Sequence, residues 1–237
     1  MLVGVFFFVV FGVSGHPKTF LPKKISCVKT DQPLIALTID DGPKPGFTEQ
    51  LLKIFGDAQI RVTFFTVGKM LEKYPELGQA IIAAGHEIGS HSYNHLDMTT
   101  MSEAEVVEDV ERSRRVLDAE GINNVCLFRP PYGKWNDDVL KVLNDHKFIM
   151  VLWSAYTCDF GSESSDQILR RGLALAAPGG IILCNNGVEA TVKALPEMIE
   201  QLKQRGFKFV TVSELIEKTY LPEGIGLTDG MKNYAQR

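Results

Sequence analysis

Seven short apolar runs recur along this chain with helix-length stretches between them, and that rhythm limits the possible folds more than any single residue does. The runs occupy 34–39, 62–67, 87–89, 125–128, 148–152, 181–183 and 207–210. The intervening amphipathic stretches fall at 48–57, 76–84, 102–119, 136–145, 166–176 and 191–205. Parallel strands need long crossovers, usually helical, so the alternation predicts an α/β fold with a parallel sheet and outer helices. Ser102 followed by Glu105 fits a capping box, and Gly121 lies just past the end of that helix. Val106, Val107, Val110 and Leu117 form its apolar stripe, whereas Glu103, Glu108, Glu111 and Arg115 mark a solvated face. Pro196 is expected near a helix start, where its missing N–H costs nothing. With no internal repeat or Gly/Ser linker, the chain reads as one domain at 34–220. A Lys/Pro-rich lead-in at 16–33 precedes it and a tail at 221–237 follows.

Residues 2–13 are apolar and free of Lys, Arg, Asp and Glu, and Ser14 and Gly15 follow them. Crossing a bilayer takes roughly 20 apolar residues, so this block fits a secretory signal at 1–15 better than a membrane span. Only the amino terminus supplies basic charge, which leaves an amphiphilic anchor as the alternative. The expected location is extracellular or in a cell wall, and no later stretch is long enough to be a transmembrane helix. About 220 residues then remain, suited to one large domain and expected to be monomeric. A formal net charge of −4 gives no basic face for nucleic acid and is compatible with a neutral polymer. Cys27, Cys126, Cys158 and Cys184 lack the Cys-x-x-Cys spacing of a zinc ribbon or redox motif. In an oxidising compartment they could form up to two disulfides in three connectivities, and Cys184 also reads as a buried free thiol.

Three clusters carry chemistry. Asp40 and Asp41 close the first apolar run before Gly42 and Pro43, at the strand end where α/β proteins place their sites. One carboxylate could hold a cation while the other stays free as a base, although an acidic turn would use the same residues. His91 and His95 have the spacing that puts two imidazoles on one side of a helical turn, able to reach one metal; two surface histidines is the alternative. His86 competes as a ligand but precedes a strand, which favours a structural role, and His16 and His146 have nothing to pair with. The third cluster is Arg129, Pro130, Pro131, Tyr132 and Gly133. Its arginine could hold a carboxylate bidentately and its stiff turn could aim backbone N–H groups at an oxyanion, or the loop could be purely structural.

In this order and spacing the clusters resemble the polysaccharide deacetylase family (the NodB-homology domain, carbohydrate esterase family 4), which includes chitin deacetylases. The resemblance runs from about Leu34 to Leu215, with 62–65 and 206–213 resembling the family's second and last strands. It implies a distorted (β/α) barrel, parallel strands with outer helices, and a groove for an extended glycan polymer. It also implies one divalent metal ion, zinc foremost, with cobalt or another transition ion as alternatives. Asp41, His91 and His95 would be the ligands, Asp40 the base, Arg129 its orienting partner and the Tyr132 N–H an oxyanion donor. Trp153, Phe160 and Leu183 would line the substrate pocket, with Phe160 standing where the family has a tryptophan.

Two further positions depart from the family pattern. Asn185 stands where the family has its general-acid histidine, and Tyr156 where it is expected to have the aspartate that orients that histidine. Tyr156, with an unperturbed pKa of about 10, and Asp159 are the candidate substitute acids. The implied activity is metal-dependent hydrolysis of N-acetyl groups on chitin or a related N-acetylglucosamine polymer, weakened because acid catalysis is worth roughly 10² to 10⁴ in rate. An inactive glycan-binding wall protein and an O-deacetylase are the alternatives.

Overall fold

The computed structural model describes residues 21–161, 163–221 and 227; the expected signal segment, residues 16–20 of the lead-in and most of the tail lie outside these. Among the described residues, nine parallel strands curl into a half-barrel: β1 (Lys24–Ile25), β2 (Leu34–Gly42), β3 (Thr63–Thr66), β4 (Glu87–Ser90), β5 (Leu127–Phe128), β6 (Ile149–Val151), β7 (Ala155–Tyr156), β8 (Gly180–Asn185) and β9 (Lys208–Phe209). The order across the sheet is β1-β6-β5-β4-β3-β2-β8-β7, with β9 added at the start of β2. The helices are α1 (Thr48–Asp57), α2 (Gly68–Lys73), α3 (Pro75–Ala83), α4 (Glu103–Ala119), α5 (Asp137–Asp145), α6 (Ser165–Leu175), α7 (Glu189–Gln204) and α8 (Val212–Tyr220). Among the described residues no helix is long and apolar enough to cross a membrane.

Strand alternation decides which residues meet the site. Successive side chains of a strand take opposite faces, so in β2 Ile35, Leu37 and Ile39 pack outward with Leu51, Phe55 and Leu195 of the helices. Leu34 and Ala36 take the inner face with Phe65, Leu127, Val151 and Ile181. The same parity carries Thr38 and Asp40 inward, and on β8 it carries Leu183 and Asn185 inward. The register of β2 with β8 sets Thr38 opposite Leu183 and Asp40 opposite Asn185.

Several sequence expectations change here. The lead-in joins the sheet: Lys24 and Ile25 pair with Met150 and Val151, and Val28 donates to the Gly179 carbonyl. Strand β2 runs past Ile39 to Gly42 through a bulge, with Asp41 at a φ of 68°. That extra residue turns the two adjacent carboxylates in different directions. Pro196 lies inside α7, not at its start. The helix continues through it because Ala194, Leu195, Met198, Ile199 and Leu202 form one buried stripe, whose packing outweighs the lost backbone bond. All four cysteines are free, spread from exposed Cys27 to fully buried Cys184 on the outer face of β8, so no disulfide forms.

The capping box of Ser102 with Glu105 is present at α4, and Ser164 with Gln167 and Thr211 with Glu214 repeat it at α6 and α8. Each such cap is worth about 1 kcal/mol. In α4 the buried stripe holds a carboxylate as well: Asp109 is 4% exposed, between Val106 and Val110.

Candidate metal centre

Asp41, His91 and His95 converge at the C-terminal edge of the central strands, their ligand-type atoms all within 4.8 Å of one another. Asp41 Oδ1 lies 3.0 Å from His95 Nε2 and 3.4 Å from His91 Nε2. Ligands about 2.0–2.1 Å from a tetrahedral ion sit roughly 3.3 Å apart, so this spacing matches one shared cation. The donor chemistry fits as well. His91 Nδ1 is 2.7 Å from the Arg129 carbonyl, which can only accept, so Nδ1 carries the proton. In the neutral ring the Nε2 lone pair then faces a carboxylate, an arrangement that a bound cation satisfies.

The histidines reach this geometry differently from the expected helical turn. His91 follows β4 directly, and the next residues form an irregular loop in which Ser92 and His95 have φ values of 64° and 58°. The His95 N–H donates to Ser92 Oγ at 2.9 Å. The left-handed residues fold the loop back so that the two rings stand 4.9 Å apart, which a helix is not needed to achieve.

Asp40 sits beside this triad, 3% exposed, with Oδ2 3.8 Å from His91 Nε2. Its Oδ1 accepts from Arg129 Nη1 at 2.7 Å. The expected two-pronged clamp is absent because the fully buried guanidinium is shared. Nη1 also donates to Thr38 Oγ1, Nε to the Val151 carbonyl and Nη2 to the Leu152 carbonyl. The guanidinium lies 4.1 Å from the centre of the Phe65 ring, so its position is fixed on every side. Burial raises the Asp40 carboxyl above its ordinary range, opposed by the charges of Arg129 and His91. Burial also acts to raise Asp41, but hydrogen bonds and charge from His91 and His95 outweigh it and hold that carboxyl well below the usual range. The two adjacent aspartates therefore have different chemistry: one holds its charge against imidazoles and the other is biased toward accepting a proton.

Tyr132 occupies a tight turn at a φ of 61°, and the turn's own bonds come from the N–H groups of Gly133 and Lys134. Its ring stacks 4.8 Å from His95 and is largely exposed. Trp153 packs under this turn, where a Cβ on Gly133 would meet its ring at 2.4 Å. The Trp153 ring also lies 5.9 Å from Tyr156. Phe160 is 59% exposed, its ring turned to solvent, whereas Leu183 is buried on the inner face of β8.

The two departures from the family pattern resolve unequally. The carboxylate that meets Asn185 is Asp159, not a group at position 156. Asn185 donates to Asp159 through both its backbone N–H, at 2.7 Å, and its side-chain amide, and Thr191 Oγ1 donates at 2.6 Å. Asp159 is 1% exposed and comes from the loop after β7, whose strand directs the Tyr156 ring toward Trp153 instead. A buried carboxylate therefore does stand beside position 185, contributed by residue 159 and not by residue 156. Tyr156 is a poor substitute acid, because burial and the Asp159 charge push its phenol up to about 12.

His86 is no ligand. It lies in the outer core 5.6 Å from the rings of Phe55 and Phe64 and accepts from the Val62 N–H. Asp109, which the sequence reading passed over, binds the loop between His91 and His95. Its signal was a charged residue in phase with an apolar helical stripe.

A family model for polysaccharide deacetylases matches residues 28–151. A peptidoglycan-N-acetylglucosamine deacetylase of Bacillus cereus is 33% identical over 194 residues, covering 80% of this chain and 91% of the relative. A chitooligosaccharide deacetylase of Sinorhizobium fredii is 33% identical over 192 residues, covering 75% and 89%. Among solved structures, a CE4 family pseudoenzyme from Bacillus anthracis matches with a TM-score of 0.79 at 28% identity, covering 83% of this chain and 70% of that one.

Proposed function

The chain belongs to the polysaccharide deacetylase family, and from that premise we propose that it hydrolyses N-acetyl groups on an N-acetylglucosamine polymer, peptidoglycan or chitin, using one divalent cation. The observation that carries this reading is Asp41 facing two imidazole Nε2 atoms while Asp40, held by Arg129, stays outside the triad. The apolar segment at 2–13 supports secretion to where such polymers lie, and zinc is the first choice of ion for a carboxylate and two imidazoles.

Asp41, His91 and His95 would hold the ion, which when bound supplies Lewis-acid polarisation and an acidified water. Asp40 accepts the proton of the attacking water on its carboxylate, in the direction that Arg129 fixes. The N–H of Tyr132 faces the oxyanion that develops on the acetyl group. The C–N bond then breaks and the amine needs a proton. Asn185 has no proton to give at neutral pH, so Asp40 returns the one it took, and turnover falls by the roughly 10² to 10⁴ that a positioned acid supplies.

The same Asn185 supports a second reading, removal of O-acetyl groups, because an alkoxide leaves with less acid assistance than an amine. Loss of activity on this fold has a precedent in the Bacillus anthracis pseudoenzyme, and a mutant form of it has restored activity. Acetate release from chitin oligomers, peptidoglycan and O-acetylated xylan, with zinc or cobalt added, separates these readings. Metal-dependent release from the first two supports the proposal, release from xylan alone supports the ester reading, and binding without release supports a non-catalytic glycan binder.

A further inference from the structure

The two imidazoles of the metal site are not held alike. The His91 ring is fixed directly, by its Nδ1 bond to the Arg129 carbonyl. Among the described residues the His95 ring has no such hydrogen-bonded anchor beyond Asp41 itself; Tyr132 packs against it and its ring follows the backbone that carries it. That backbone runs through left-handed residues, a conformation that needs external support in non-glycine residues.

The His95 backbone itself is tied by its N–H to Ser92 Oγ and by the Tyr132 hydroxyl on its carbonyl, and the residues before it are supported from two further sides. The start of α2 takes the carbonyls: Gly68 and Lys69 donate to Ser92 and Tyr93 at 2.9 and 3.0 Å. Asp109 of α4 takes the N–H groups: Tyr93 donates to its Oδ1 at 2.7 Å, and Asn94 donates to its Oδ2 through the backbone at 3.0 Å and the side chain at 3.2 Å. Of these contacts only those of Asp109 reach Asn94, the residue immediately before His95. Asp109 is buried, and among the described residues its side-chain hydrogen bonds all come from this loop.

We infer that Asp109 is a positioning residue for the cation: by gripping the N–H groups of Tyr93 and Asn94 it sets where His95 presents Nε2, and so tunes metal affinity from outside the ligand set. The inference rests on the metal-site reading above. It assigns to α4, an otherwise outward-facing helix, a part in the chemistry at the edge of the barrel.

The test is a titration of the metal-free full chain with cobalt(II), followed by affinity and by the visible spectrum. In Asp109→Asn an NH₂ replaces an acceptor opposite N–H donors, and partners of metal ligands of this kind are worth about 10- to 100-fold in affinity. The expected result is a loss in that range with an altered cobalt spectrum in a chain that still folds. Asn94→Ala removes one of the three bonds and should weaken affinity by about fivefold, one hydrogen bond's worth. A folded Asp109→Asn chain with lowered metal-free melting temperature but wild-type affinity and spectrum would make the contact merely structural and overturn the inference. If Asp109→Asn does not fold, unchanged affinity in Asn94→Ala overturns it. Failure of the wild-type chain to bind cobalt sinks the metal-site reading itself, a separate and recognisable result.

Discussion

The two halves of the site use the same materials, carboxylates at least partly buried beside nitrogen-bearing side chains, and arrive at opposite states. In the half around Asp41 a carboxylate oxygen meets two imidazole Nε2 atoms, three ligand-type atoms gathered as they would be around one shared cation. In the half around Asn185 the polar groups close on themselves, with Asp159 accepting three hydrogen bonds from Asn185 and Thr191. The first is built to take a ligand, whereas the second is satisfied as it stands. The polar groups around Asn185 are thus satisfied independently of those around Asp41.

The contrast breaks most severely if the base is removed. Asp40→Asn should cut acetate release by about 10² to 10⁴ and cost about 3 kcal/mol of stability or more, because the buried Arg129 charge loses its counter-ion. Kinetics and urea denaturation of the same preparation check both. Restoring the acid half is the converse test. Asn185→His, with Asp159 already placed to orient the ring, should raise turnover on N-acetyl substrates by up to about 10² without a second substitution. No gain in a folded, metal-loaded variant would remove the acid explanation.

A third histidine sharpens what makes a ligand. Burial, aided by the nearby Arg61 charge, pushes the His86 imidazole down to about 4, from an ordinary value near 6.5. Above pH 6.5 the ring is neutral whether the chain is folded or not. Below it the unfolded chain takes up a proton that the folded one refuses, so stability falls as pH drops from about 6.5 to about 4 and then levels. The loss is up to about 3 kcal/mol. His86→Gln, which keeps an acceptor for Val62, should flatten that slope in urea midpoints measured across the window. The smallest effect is expected from Thr191→Val, about 1 kcal/mol of stability from one lost bond to Asp159, with metal affinity unchanged. A change in affinity would show that the two halves are coupled.

Much of this was legible in the sequence, for reasons that differ by element. The long strands were visible because 34–39 and 181–183 are continuous apolar runs, as strands buried on both faces must be. Strand β1 was hidden because two residues in a Lys/Pro-rich stretch carry no period, and only pairing with Met150 and Val151 makes them a strand. Helix α8 could have been found, since Thr211 and Glu214 repeat the capping box read at Ser102. Asp41, His91 and His95 were singled out by motif and do lie together, but their local geometry was not foreseen. Left-handed Ser92 and His95 replace the helical turn that the spacing suggested, and no local pattern announces such a loop. The pairing of Asn185 with Asp159 likewise depends on how β7 and β8 lie side by side, which positions 156 and 159 do not disclose in the sequence.

The central claim is that Asp41, His91 and His95 grip one divalent cation, and calorimetric titration of zinc into the metal-free chain tests it most directly. One ion per chain should bind, and His95→Ala should abolish tight binding while Cys184→Ala, on the outer face of β8, leaves it intact. No heat of binding in the wild-type chain, or binding that survives His95→Ala unchanged, would contradict the account.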